Sequence, residues 1–212
     1  MALPDILKYK GWLKTERIIH AFKFIDRKDF LRKGEKHLAE LDQPMSIGYG
    51  QTISQPLTVA FMMELLQPEP GEKILDIGSG SGWTTAILAH IVSGGVGRQP
   101  RKKGKVIGIE IIPELAEYGK ENVSKYNFIE SGIAEIVCGD GSKGYPKEAP
   151  YDKILASATA REIPKAWKDQ VKKGGRIVVP VGNSIWLLIN KARGKFEEQE
   201  HPGFVFVPLV EQ

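Results

Sequence analysis

The chain reads as an α/β protein: a doubly wound, mainly parallel seven-stranded sheet with an antiparallel C-terminal section. Three observations predict this. From residue 56 onward, strand-like apolar runs alternate with helix-like segments, the pattern of parallel strands joined by crossover helices. The first of these runs, residues 73–77, enters a turn with glycine at 78, 80 and 82 and leaves it as an apolar-periodic segment, which spells strand, tight turn, helix. The last three apolar runs have no helical segment between them, so their strands should return antiparallel.

Taken in order, Ile18, Ile19, Phe22 and Ile25 fall on one helical stripe, and residues 1–55 form a helical cover over the sheet. Pro56 suits the first turn of a helix over 56–66, as do Pro113 for 113–126 and Pro164 for 164–172. The fourth helix follows the glycine turn over 83–92. Strands are expected at 73–77, 106–110, 134–137, 153–156, 176–180, 186–190 and 204–207. All of this fits one domain over residues 1–212.

Composition bounds the function. At 212 residues and 42% hydrophobic, the chain can bury one substantial core. Cys138 is the only cysteine, so no intrachain disulfide is possible; within the run 136–138 it reads as a buried strand-end residue. Lys8, Lys10 and Lys14 interrupt the N-terminus, which argues against a signal peptide. No segment approaches the ~20 apolar residues of a membrane span. A reducing cytoplasm and a monomer are the expected setting, with no membrane partner and no stable nucleic-acid partner.

Residues 94–105 stand apart. They carry Arg98, Arg101, Lys102, Lys103 and Lys105 with no acid, so this one segment accounts for the chain's net charge of +4. A solvated loop and a docking patch for acidic substrates or nucleic acid are both open readings. The segment has no aromatic residue and so lacks the stacking platform of single-strand binders.

Two motifs carry chemistry. Asp76-Ile77-Gly78-Ser79-Gly80-Ser81-Gly82 allows close approach of backbone to ligand, but Trp83 occupies the position of the last glycine in a dinucleotide fingerprint. The spacing resembles the cofactor loop of S-adenosylmethionine-dependent methyltransferases of the Rossmann-like type. Upstream, Ile47-Gly48-Tyr49-Gly50-Gln51-Thr52-Ile53-Ser54-Gln55-Pro56 is a glycine-broken polar segment before a helix. By local pattern alone, Ser54 or Gln55 is a helix cap.

The ten-residue string resembles the signature of the protein-L-isoaspartate (D-aspartate) O-methyltransferases. The likeness continues in order through Gly139-Asp140-Gly141, Ala149-Pro150-Tyr151-Asp152, Glu162-Ile163-Pro164, Gly174-Gly175, Val179-Pro180-Val181-Gly182 and Phe206-Val207-Pro208-Leu209. It departs from the family at 94–105, where relatives have a shorter turn.

The resemblance implies an enzyme that moves a methyl group from S-adenosyl-L-methionine to the free carboxylate of L-isoaspartyl residues in damaged proteins and peptides, with D-aspartyl substrates left open. It implies that Ser54 holds the acceptor carboxylate, supported by Thr52, and that Gln51, Thr52 and Ile53 line the methionine end of the cofactor. Gly78, Ser79, Gly80 and Gly82 form the cofactor turn, and Asp76 orients the amino-acid end. Glu110, with Ile111 beside it, ends the second strand; it lies 32 positions after Gly78 and takes the ribose hydroxyls once the insertion is discounted. Asp140, next to Gly141, accepts from the adenine amino group; a plain Asx-turn is the alternative. No metal ligand is expected. Two other readings compete: a same-fold enzyme acting on RNA or a small molecule, with the basic segment as its support, and a non-catalytic recognition adaptor.

Overall fold

The computed structural model describes residues 1–95, 103–192 and 194–210. Its centre is a seven-stranded sheet in the order β5-β4-β3-β6-β7-β8-β9. The strands are β3 (Lys73–Ile77), β4 (Lys105–Glu110), β5 (Ala134–Cys138), β6 (Tyr151–Ala156), β7 (Val171–Val181), β8 (Ser184–Ala192) and β9 (Lys195–Pro202). The five strands from β5 to β7 are parallel, and β8 and β9 run antiparallel. Strand β3 has β4 on one side and β6 on the other, so the strand order reverses there. In open sheets that reversal makes a crevice at the carboxyl ends of the strands.

Six helices accompany the sheet among the described residues: α1 (Leu3–Tyr9), α2 (Glu16–Phe24), α3 (Pro56–Leu66), α4 (Trp83–Val92), α5 (Pro113–Ser124) and α6 (Lys165–Gln170). The period-2 alternation of β3 divides the core. Ile74 packs into the cluster shared with α2, α3 and α4, whereas Leu75 and Ile77 pack into a second cluster with Ile107, Ile154, Trp167 and Ile177. The N-terminal stripe Ile18, Ile19, Phe22 and Ile25 is buried in the first cluster, as its helical spacing requires.

Several expectations need correction. The cover over 1–55 is not all helical: β1 (Met45–Gly48) and β2 (Gln51–Ile53) pair as a separate antiparallel hairpin. The last strand lies at Lys195–Pro202 rather than at 204–207. Its sequence is polar because it is an edge strand with little to bury, while Phe204 and Phe206 pack on the core without joining the ladder. Helix α6 stops at Gln170, and β7 begins at Val171, earlier than expected. Cys138 does end a strand, but β5 is the other edge and the thiol is exposed. Residues 96–102 of the basic segment lie outside the described residues. Lys105 is part of β4, its ammonium 2.9 Å from Glu148 and 3.0 Å from Glu135.

Helix α5 comes unusually close to the turn after β3. A Cβ on Gly119 would sit 2.8 Å from the Gly80 carbonyl oxygen, and one on Gly82 would sit 2.8 Å from the Gly119 oxygen. Gly119→Ala therefore sets two effects against each other: a gain of roughly 1 kcal/mol in helix propensity and an overpacking cost of roughly 1–3 kcal/mol against rigid backbone. Overpacking should win, and urea denaturation should show net destabilisation; a stabilised variant would mean the turn yields freely.

Candidate functional site

A cleft of about 780 Å³ opens over the carboxyl ends of β3, β4, β5 and β6. The turn after β3 forms its floor. Gly78, Gly80 and Gly82 all have positive φ, at 73°, 51° and 84°. That combination is routine only for glycine. The Gly78 and Ser79 amides donate to the Ile109 carbonyl at 2.8 and 3.0 Å, which anchors the turn to β4.

Glu110, at the end of β4, is buried and lines the cleft. Its Oε2 accepts from the Gly80 amide at 2.9 Å and its Oε1 from the Ile112 amide at 3.0 Å. Two backbone donors thus fix the carboxylate while each oxygen keeps a further lone pair for a ligand. Ile111 and Ile112 continue the wall.

Asp76 lies beneath the floor rather than in it. It is fully buried, and its Oδ2 accepts from Thr84 Oγ1 at 2.7 Å and from Thr85 Oγ1 at 2.6 Å. Among the described residues its Oδ1 has no partner, nor do the buried Ser79 Oγ and Trp83 Nε1. Asp140 caps a short 3-10 turn over Gly141–Lys143, its Oδ1 accepting from the Ser142 amide at 2.9 Å and its Oδ2 lying 3.2 Å from Lys143 Nζ. The Asx arrangement is therefore present, and it is the flanking Gly139 and Gly141 that line the cleft.

The hairpin forms the opposite part of the lining, with Ile47, Gln51, Thr52, Ile53 and Ser54. Ser54 does not cap α3. Gln55 occupies the cap position without a side-chain bond, and Asp42 Oδ1 accepts from the Leu57 amide instead. The hairpin tip holds three successive residues at positive φ: Gly48, Tyr49 and Gly50. Tyr49 there is 55% exposed.

The structure thus brings together Gln51, Thr52, Ile53, Ser54, Gly78, Ser79, Gly80, Glu110, Ile111 and Gly141, and leaves Asp76, Gly82 and Asp140 off the lining. Sequence reasoning did not assign Ser81 in the turn, Trp83 and Thr84 from the start of α4, or most of the tail Val207, Pro208, Leu209 and Val210; Ser157 and Ala158 lie in the segment 156–161 that it placed near the substrate mouth without giving either a role. The tail reaches the cleft by pairing with Thr159: the Thr159 amide donates to the Val207 carbonyl and the Leu209 amide to the Thr159 carbonyl, both at 2.8 Å. Nothing in the spacing of these residues predicts that pairing. The sequence also gave no sign of Arg27 and Arg32, which hold the hairpin from behind. Arg32 Nε donates to the Ile47 carbonyl at 2.9 Å, with its guanidinium 3.9 Å from the centre of the Tyr118 ring.

A glycine turn with no Cβ in the way, a clamped acid at the end of the neighbouring strand, and buried polar atoms without partners suit a nucleoside-bearing cofactor. With the strand order described above, they define a Rossmann-like S-adenosylmethionine-dependent methyltransferase. Comparison with known proteins narrows the class. The family model described as protein-L-isoaspartate (D-aspartate) O-methyltransferase matches residues 1–212, and the chain belongs to that family. A protein-L-isoaspartate O-methyltransferase of Methanopyrus kandleri is 39% identical over 98% of this chain and 89% of its own length. One from Staphylothermus marinus is 40% identical over 97% and 91%. A Plasmodium falciparum structure assigned to the same family, solved with S-adenosyl-L-homocysteine, superposes with a TM-score of 0.86 at 23% identity, covering 99% of this chain and 97% of that one.

Burial pushes the Asp76 carboxyl up to about 6; the Thr85 and Thr84 hydroxyls oppose that rise and the Glu110 charge adds to it. The folded value lies above the ordinary 3.8, so the native state holds this proton more tightly than the unfolded chain does. That contribution is complete below pH 3.8 and is lost as pH rises through about 6. Measured against the non-titrating Asp76→Asn variant, the wild type should therefore lose up to roughly 3 kcal/mol of relative stability between pH 4 and 7. Paired denaturation series test this, and a difference flat with pH would show that the carboxylate ionises without penalty.

Proposed function

We propose that this chain transfers a methyl group from S-adenosyl-L-methionine to the free carboxylate of L-isoaspartyl residues in damaged proteins and peptides. The observation that carries this reading is the cleft itself. At one end it has a glycine turn and a clamped acid for a nucleoside, and at the other two hydroxyl residues with no cation among the described lining residues. The family membership and the ~40% identical relatives named for this activity support the same reading.

The cofactor supplies an electrophilic methyl group on a sulfonium; the acceptor oxygen forms the new C–O bond as the C–S bond breaks, and the electron pair leaves with sulfur. The acceptor is an α-carboxylate with an ordinary pKa of about 3.5 and is ionised at neutral pH, so no general base is needed. The residues have to align it and strip part of its water. We assign Ser54 and Thr52 to the acceptor carboxylate, because a hydroxyl can hold an anion without quenching it as an ion pair would. Gln51 to Ile53 flank the reacting methyl. When the cofactor is bound, Glu110 would hold the ribose hydroxyls, and Ile111, Gly141 and Asp140 would hold the nucleobase, with Asp140 accepting from its amino group. Asp76 acts through the turn it supports, and Gly82 by admitting α5. The methyl ester formed would close to a succinimide, and hydrolysis would return part of it to a normal aspartyl linkage.

We further propose that residues 1–212 act as one unit. The N-terminal segment contributes to the main core cluster rather than forming a core of its own, which supports this. A monomer in a reducing compartment suits a chain with one exposed free thiol. No helix among the described residues is long and apolar enough to cross a membrane.

The direct test gives labelled cofactor to paired isoaspartyl and aspartyl peptides, with tRNA as a third acceptor. Label should enter the isoaspartyl peptide alone; equal labelling of both peptides, or labelling of tRNA alone, would sink the repair assignment. Ser54→Ala tests the mechanism. Losing one hydrogen bond to a charged group costs on the order of 1.5–3 kcal/mol, or about ten- to a few hundred-fold in turnover. Cofactor affinity and melting temperature should change little. A lower melting temperature with intact turnover per folded molecule would return Ser54 to a structural role.

A further inference from the structure

Arg27 is 5% exposed. It follows α2 in a short 3-10 turn, and its guanidinium reaches four backbone carbonyls. Nη1 donates to Ala39 at 3.2 Å and Leu41 at 3.0 Å; Nη2 donates to Gln43 at 2.7 Å and Ser54 at 3.3 Å. Its charge centre lies 5.5 Å from the centre of the Trp83 ring. Ser54 and Trp83 both line the cleft, and Arg27 stands one layer behind them.

Such a buried charge is ordinarily matched by a carboxylate. Here none among the described residues lies within ion-pairing distance. Asp42 and Glu40 are the acids close enough to act on it, and they accept from the Leu57 and Leu3 amides instead. The Nε hydrogen has no partner among the described residues. Burial lowers the guanidinium to about 10, so it is still a cation at neutral pH. Four carbonyl dipoles, one aromatic face and the charges of Asp42 and Glu40 offset the cost of burial only in part, and positive potential extends through low-dielectric protein toward the cleft.

We propose that Arg27 is a positioning residue that biases the acceptor end of the cleft toward an anion. It acts through the Ser54 backbone and never pairs with the nucleophile. This rests on the reading that the acceptor is a carboxylate. The arrangement answers a chemical conflict. A cation in contact with the attacking carboxylate would hold its electrons; a cation one residue removed draws the anion in and leaves its lone pair free. The same four bonds also fix where the residues at 39–43 and Ser54 sit relative to each other.

The test compares an isoaspartyl peptide bearing its free carboxylate with the same peptide as the carboxamide. Affinity is measured in the presence of S-adenosyl-L-homocysteine. Wild-type protein that fails to methylate the peptide, or that shows no preference for the carboxylate, would refute the functional reading before any variant is made. Given that preference, Arg27→Gln should shrink it about ten-fold, the scale of one partly screened charge at this range. Arg27→Lys, which keeps the charge but cannot span four carbonyls, should retain the preference within about three-fold while lowering kcat. A purely structural arginine would weaken both peptides equally in both variants, which would overturn the proposal. If Arg27→Gln does not fold, the lysine variant decides alone: a kept preference with both affinities close to wild type supports the proposal, whereas a lost preference, or equal weakening of both peptides, refutes it.

Discussion

A carboxylate under a turn organises the chemistry of this protein. Asp76 leaves β3 facing α4, inside an otherwise apolar layer, and two threonines of the first helical turn donate to one of its oxygens. Space for Thr85 exists because the β4 residue registered against Asp76 is Gly108, where a Cβ would meet Thr85 Oγ1 at 3.0 Å. Strand and helix are thereby tied across the glycine turn, whose backbone has no side chains to brace it. Once the turn is held, the Gly80 amide faces Glu110, and the acid in the cleft wall is itself oriented. Hydroxyl donors suffice where an arginine would have needed volume that the close approach of α5 denies.

The two ends of the cleft handle charge differently. At the nucleoside end an acid is placed in the lining and clamped by amides. At the acceptor end the lining carries hydroxyls, and positive charge is kept behind the hairpin, where Arg27 and Arg32 spend their donors on carbonyls and their faces on Trp83 and Tyr118. Trp83 belongs to both ends. It opens the helix that follows the glycine turn, and its ring lies near Arg27. The residue that breaks the dinucleotide fingerprint is thus an aromatic wall rather than a missing glycine.

Much of this was legible in the sequence. The alternation of strand and helix, the glycine spacing, the acid ending the second strand and the long motif before α3 are local patterns, and local patterns survive in a string. What escaped depends on contacts distant in sequence. The polar run in β9 does not read as a strand because an edge strand need not bury alternate residues. The apolar Phe204 and Phe206 do read as one, yet they spend their hydrophobicity on packing without ladder bonds. Cys138 lies in an apolar run, but edge position leaves it exposed. The tail enters the cleft through two backbone bonds to Thr159, which no side-chain pattern encodes. Arg27 looks like any surface arginine until the chain at 39–43 folds over it.

The basic segment follows α4, and its described end joins the sheet at Lys105, the first residue of β4. The cleft stands at the other end of the same strand, at Glu110. Both stems are fastened locally: Gly71 donates to Val92 at 2.8 Å, Lys105 donates to the Glu72 carbonyl at 3.0 Å, and Gly104 packs directly on Val92. The described stems therefore offer an engineer a place to splice a reporter or affinity module at the end of β4 opposite the cleft.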